Sequence, residues 1–127
     1  MLQRELEGYR LLVVEDEYFV ASDLMRTLED AGAHVYGPVS DVERAMEIVG
    51  GSFTLDGAIL DINLNGEMIY PAAELLASRL IPFVFVTGYD RASVPRAFAD
   101  TPYLGKPFDN ERLVSVVAST VRRKAVS

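Results

Sequence analysis

Leu11-Leu12-Val13-Val14-Glu15-Asp16 is an apolar run that ends on two carboxylates. The same arrangement returns three times: Ala58-Ile59-Leu60 runs into Asp61, Phe83-Val84-Phe85-Val86 into Thr87, and Tyr103-Leu104-Gly105 into Lys106. Short runs rich in Val, Ile and Phe read as strands buried on both faces, and helical patterns separate them, so a parallel sheet is expected. In an open parallel sheet the carboxyl ends of the strands share one edge, where ligands bind. Three carboxylates, a hydroxyl and an ammonium should therefore converge on one site.

Between the strands, Val20, Leu24 and Leu28 give a first helix stripe that stops near Gly32. A short second strand is expected around His34-Val35-Tyr36, ended by Gly37-Pro38. Ser40 with Glu43 looks like a capping box that opens a helix through about Val49. Asn63-Leu64-Asn65-Gly66 reads as a loop, and Pro71 suits the first turn of a helix over residues 72–78. From Tyr89 to Thr101 the pattern is poorest because Pro95 interrupts it, so a short or irregular element is expected. Asp109-Asn110-Glu111 caps a last helix carrying Leu113, Val116, Val117, Thr120 and Val121. The expected fold class is α/β, a (βα)5 doubly wound five-stranded parallel sheet with helices on both faces.

The 127 residues suffice for one domain with its own core, expected to be organised over about residues 9–121 with no output domain. A formal charge of −7 and the absence of a basic stripe argue against direct binding to nucleic acid. The cationic cluster Arg122-Arg123-Lys124 sits where the last helix ends and suits its negative pole. No stretch approaches the roughly 20 apolar residues of a membrane span, and there is no cysteine, so a soluble, cytoplasmic protein without membrane insertion is expected. The only histidine, His34, has no second His or Cys beside it and reads as a surface group.

The converging residues suit phosphoryl chemistry. Magnesium prefers hard oxygen ligands and is held by few carboxylates, which Glu15, Asp16 and Asp61 supply. Three acids close together repel one another, so the cation and Lys106 are both needed to keep them ionised. Asp61 stands alone on the central strand, where it can attack a phosphorus atom while Glu15-Asp16 hold the metal. Thr87 and Lys106 have the chemistry to meet the phosphoryl oxygens. Gly88 leaves room for a backbone N–H to approach, although an ordinary turn glycine reads the same way. Lys106-Pro107 is an X–Pro bond at a strand exit and is open to either isomer.

Glu15-Asp16, Asp61, Thr87 and Lys106-Pro107-Phe108, in that order, resemble the receiver domain of two-component response regulators from about Tyr9 to Val121. Pro82-Phe83-Val84-Phe85-Val86-Thr87-Gly88-Tyr89 followed by Pro102-Tyr103-Leu104-Gly105-Lys106-Pro107-Phe108 is similar to the single-domain FAT GUY subgroup, with Val86 replacing an alanine. The resemblance implies a flavodoxin-like strand order 2-1-3-4-5, Asp61 as phosphoacceptor, and Mg²⁺ (or Mn²⁺) held by Glu15, Asp16, Asp61 and the backbone carbonyl of Asn63. It also implies that Lys106 contacts the phosphoryl group, that Lys106-Pro107 is cis, and that Thr87 and Tyr103 form the switch. Asn63 and Tyr89 would flank the opening and govern water access, hence phosphoryl lifetime. Tyr18 and Ser22, with Phe108 nearby, share a face next to the acidic pair that would dock a histidine kinase or histidine phosphotransfer protein, the alternative being a plain solvated face.

The function expected is a stand-alone response regulator: a phosphoacceptor, not an enzyme acting on external substrates, that signals to a downstream protein as a monomer or a weak phosphorylation-dependent dimer. Alternatives are a phosphate sink or relay, and a Mg²⁺-dependent aspartyl-phosphate hydrolase. Haloacid-dehalogenase-type hydrolases need a second Asp two residues after the nucleophile, where this chain has Asn63. A pseudo-receiver is disfavoured by the intact acidic set. Flavin binding is disfavoured because no hydroxyl-rich phosphate loop follows the first strand.

Overall fold

The computed structural model describes residues 4–126, and side chains only as far as Arg122, so Arg123 and Lys124 of the cationic cluster lie outside the described side chains. The main sheet contains β1 (Arg10–Val14), β2 (His34–Val39), β3 (Gly57–Leu60), β6 (Phe83–Thr87) and β7 (Tyr103–Gly105). All pairings in it are parallel, in the order β2-β1-β3-β6-β7. Counting only its own strands, that is the expected 2-1-3-4-5. Two further strands, β4 (Asn63–Leu64) and β5 (Glu67–Met68), form a separate antiparallel hairpin.

Alternation along the strands builds two cores. Leu12, Val14, Ala58, Leu60, Phe83 and Phe85 face α2 (Val42–Gly50) and α3 (Tyr70–Ser78). Leu11, Val13, Ile59, Val84, Val86 and Leu104 face α1 (Tyr18–Asp30) and α4 (Asn110–Val126). Each fully buried Leu, Ile or Phe among them contributes about 1.5–3 kcal/mol of transfer free energy. In α1 the buried stripe is Ala21, Leu24, Thr27 and Leu28, with Val20 only half-buried, so it centres one position later than Val20 implied. Among the described residues no helix is long and apolar enough to cross a membrane.

Four local expectations need correction. β2 does not stop at Gly37-Pro38: Leu12 pairs with Tyr36 and Val14 with Val39, so β2 carries one extra residue as a bulge and continues to Val39. Gly37, at φ +115°, supplies the backbone conformation. The cap of α2 is Asp41 rather than Ser40, because Asp41 is extended (φ −143°, ψ 160°) and its carboxylate accepts the Arg44 N–H at 2.8 Å. Asn63–Gly66 is not a plain loop, since Asn65 (φ 53°) and Gly66 (φ 94°) turn the β4–β5 hairpin and Asn63 Oδ1 accepts the Gly66 N–H at 2.6 Å. Helix α3 begins at Tyr70, two residues ahead of the expected start at 72, with Pro71 inside its first turn.

The segment after β6 is irregular, as expected. It holds two single-turn 3-10 helices, Arg91–Ser93 and Arg96–Phe98, separated at Pro95. Phe98 pins it to α3 through Tyr70 (5.6 Å between ring centroids) and to the sheet through Phe83 (6.0 Å) and Phe85 (6.0 Å). Asp109 accepts the Arg112 N–H at 3.2 Å, capping α4 as the sequence indicates.

The Tyr70 hydroxyl is buried without a hydrogen-bond partner, and burial pushes the phenol above its ordinary value. An unpaired buried hydroxyl costs about 1–3 kcal/mol. Tyr70→Phe is therefore expected to raise the melting temperature by a few degrees, about 1 kcal/mol of stability. A lower melting temperature in calorimetry would show that the hydroxyl is paired in solution.

Candidate functional site: an acidic cluster with one lysine

Strand register puts the site together. Val14 pairs with Leu60, so Glu15 and Asp61 leave neighbouring strands side by side, and the Asp61 N–H donates to the Val14 carbonyl at 2.9 Å. The Glu15 N–H donates to the Val39 carbonyl at 2.8 Å, which makes the end of β2 part of the scaffold. Lys106 follows β7, and its N–H donates to the Thr87 carbonyl at 3.0 Å.

The side chains meet as expected. Carboxylate oxygens of Glu15, Asp16 and Asp61 all lie within 4.8 Å of one another. Lys106 Nζ reaches Glu15 Oε1 at 2.7 Å, Asp61 Oδ2 at 2.9 Å and Glu17 Oε1 at 3.2 Å. Glu17, which precedes α1 and is exposed, is a fourth acid that the motif reading missed. Its signal was its place directly after the acidic pair.

Burial pushes the Glu15 carboxyl up to about 7, against the pull of the Lys106 ammonium and the Glu17 N–H. Burial works against the Lys106 charge as well, but the Glu15 and Asp61 carboxylates prevail and hold it above its ordinary value. One ammonium thus faces four carboxylates, and the cluster is short of positive charge. Glu15 Oε1 is buried and has the Lys106 ammonium, 2.7 Å away, as its partner, and that same ammonium is shared with Asp61 and Glu17. An oxygen-only donor set of three carboxylates within 4.8 Å of one another, short of cations, fits a hard divalent ion such as Mg²⁺ or Mn²⁺.

Thr87 is buried (1 % exposed) at the end of β6, and its Oγ accepts the Tyr89 N–H at 3.1 Å. The Tyr103 hydroxyl donates to the Tyr89 carbonyl, so Thr87, Tyr89 and Tyr103 form one chain of contacts. Gly88 has ordinary φ, and a Cβ there would touch nothing, so the fold itself does not demand glycine at 88. The Lys106-Pro107 bond is cis, as is Gly37-Pro38. Asn63 is exposed on the hairpin beside the cluster, and Tyr89 is half-buried.

Of the residues expected to dock a partner, Tyr18 (77 % exposed) and Ser22 lie open, while Phe108 is half-buried against the α1/α4 core. Phe19, 84 % exposed and edge-on to Tyr18 with ring centroids 5.4 Å apart, is the large apolar side chain that the sequence reading overlooked.

This fold, with acids directly after β1 and β3 and a lysine directly after β7, is that of a receiver domain, and known proteins agree. No family model matches the chain. SdrG from Sphingomonas melonis Fr1, solved in solution, is 40% identical with a TM-score of 0.79, over 92% of this chain and 98% of that one. A structure of the BeF3-activated conformation of SdrG gives 38% identity and a TM-score of 0.75, over 95% of this chain and 99% of that one. A response regulator receiver protein from Sinorhizobium medicae WSM419 gives 25% identity and a TM-score of 0.81, covering 93% and 98% of the two chains. The uncharacterized transcriptional regulatory protein YrkP of Bacillus subtilis is 33% identical over 124 residues, covering 94% of this chain and 52% of that protein. The chain spans about half the length of the curated relatives it matches. It belongs to the receiver family of two-component response regulators.

Proposed function

We propose that the chain is a phosphoacceptor in which Asp61 takes a phosphoryl group from the phosphohistidine of a histidine kinase or phosphotransfer protein. A carboxylate oxygen of Asp61 attacks phosphorus, the N–P bond breaks, and the imidazole leaves and is reprotonated from solvent. Water later attacks the phosphorus, returning the Asp61 carboxylate and inorganic phosphate. Glu15, Asp16 and Asp61 would hold Mg²⁺, with the Asn63 carbonyl assigned by resemblance. The ion supplies positive charge against the phosphoryl oxygens.

The single observation that carries this reading is Lys106, whose ammonium lies 2.9 Å from Asp61 and 2.7 Å from Glu15 at the meeting point of three strand ends. An ammonium fixed there stays beside the carboxylate as charge builds on the transferred group. Thr87 and the Gly88 N–H are the remaining donors assigned to the phosphoryl oxygens, and Tyr103 follows Thr87. Asn63 and Tyr89 flank the opening and set water access. Asn63 has no carboxyl to act as a general acid, and its side-chain oxygen is occupied by the hairpin turn, which favours a slow acceptor over a hydrolase of external esters. Tyr18 and Phe19, with Ser22 and Phe108, form the surface against which the donor's histidine-bearing helix docks.

Acetyl phosphate with Mg²⁺ should add one acid-stable, base-labile phosphoryl group to the intact protein, read by mass spectrometry. Chelation of the divalent ion should slow that gain at least about 100-fold, the scale of removing one positioned charge from a transition state. Equal labelling in the chelated sample would overturn the assignment of Glu15, Asp16 and Asp61 as metal ligands. Turnover of small phosphate esters many times per minute would favour the hydrolase.

A further inference from the structure

Arg91 holds three points at once. Its guanidinium carbon stands 5.0 Å from the centre of the Tyr103 ring, and its Nη2 donates to the Ala99 carbonyl at 3.2 Å. Its own backbone belongs to the first 3-10 turn, and Ala99 follows the second, so one side chain spans the irregular segment from end to end. Pro95 lacks an N–H and keeps the two turns from merging into a helix whose backbone bonds could do the same work. The backbone bonds of each turn are local i→i+3 bonds, Ser93 to Asp90 and Phe98 to Pro95 at 2.9 Å, Val94 to Arg91 and Ala99 to Arg96 at 3.1 Å, and none of them links the two turns.

The ring under Arg91 is the one tied to the acidic site. Tyr103 donates to the Tyr89 carbonyl, and Tyr89 N–H donates to Thr87 Oγ at 3.1 Å. On the far side, Ala97 and Phe98 of the segment form one wall of an apolar groove of about 790 Å³, whose other wall includes Ala77, Leu80 and Phe83. A planar guanidinium can stack on a ring and donate in its own plane simultaneously, which an ammonium does less well.

We propose that Arg91 is a positioning residue that couples the phosphoryl site to the 91–99 segment: it transmits displacement of Thr87, Tyr89 and Tyr103 to Ala99 and the Phe98 wall of the groove. The inference rests on the phosphoacceptor reading, and its new content is the route by which the site reaches a surface at the other end of β6. Without Arg91 the segment keeps its Phe98 anchor but loses its tie to the ring. Site and segment are then joined only through the backbone at Tyr89 and Tyr103.

The test compares wild type, Arg91→Ala and Arg91→Lys by amide NMR before and after adding beryllofluoride and Mg²⁺. Wild type should show shifts at Asp61, Thr87 and Lys106 and also across residues 96–101. Arg91→Ala should keep the first set, with beryllofluoride affinity changed less than about threefold, and lose the second. Arg91→Lys, which restores charge over the ring, should recover part of the second set. Retention of the remote shifts in Arg91→Ala, or the same complete loss in Arg91→Lys, would overturn the coupling while leaving the phosphoacceptor intact. A wild type that shows no shifts at Asp61, Thr87 and Lys106 would overturn the phosphoacceptor reading itself, and the coupling with it.

Discussion

Asp61→Asn is expected to abolish acid-stable, base-labile phosphoryl incorporation from acetyl phosphate while the protein stays folded, with a melting temperature close to wild type. The loss follows from chemistry: an amide oxygen is too weak a nucleophile to displace the donor, and the remaining acids, Glu15, Asp16 and Glu17, follow a different strand. The stability follows from charge. Asp61 lies within 4.8 Å of two other carboxylates, a repulsion of at least about 3.5 kcal/mol each at an effective dielectric near 20. Its attraction to Lys106 at 2.9 Å is worth about 6 kcal/mol on the same scale. The terms nearly cancel, the more so because Glu15, pushed up to about 7, is only partly ionised near neutral pH, and an Asn oxygen can still accept from the ammonium. The wild-type residue is thus kept at no gain in stability, as a reactive group in a site short of cations. Label retained on the variant would assign the nucleophile elsewhere. A fall in melting temperature of more than about 5 °C would make Asp61 a structural ion-pair partner instead.

The sequence was most legible where chemistry and strand ends coincide. Glu15, Asp61, Thr87 and Lys106 could be placed on one edge because buried parallel strands announce themselves as unbroken apolar runs, and the residue after each run must surface at the same side. Pro95 made the irregular segment equally plain. The misses share a different cause. Gly37-Pro38 reads as punctuation, yet whether a Gly ends a strand or bulges it depends on the neighbouring strand, here β1, whose Val14 still has Val39 to pair with. Ser40 and Asp41 are both good caps, and which one serves is set by where that bulged strand releases the chain. Asn65-Gly66 carried a hairpin signal, but strands of two residues have no periodicity to support it. Arg91 and Tyr103, or Tyr70 and Phe98, are distant in sequence and come together only through the sheet.

Gly37→Ala is expected to be the most destabilising single-methyl addition among the glycines of β2 and the site. At φ +115° an L-residue is strained by about 1–3 kcal/mol. The added Cβ would also lie 2.6 Å from the Val13 carbonyl oxygen and 3.0 Å from the Val39 nitrogen, both backbone atoms within paired strands, so neither can rotate aside. The combined cost is about 3–5 kcal/mol, a fall of roughly 10 °C or more in melting temperature for a domain of this size. The damage should reach function as well, because Val39, whose nitrogen the methyl crowds, holds the Glu15 N–H through its own carbonyl at 2.8 Å. Mg²⁺ affinity should weaken in the fraction that still folds. Gly88→Ala is the control: with ordinary φ and nothing within 4 Å of its Cβ, it should leave the melting temperature within about 2 °C. If Gly37→Ala melts with wild type, the β2 bulge adopts another conformation in solution. If Gly88→Ala keeps wild-type stability but loses beryllofluoride affinity, the glycine serves the bound phosphoryl group and not the turn.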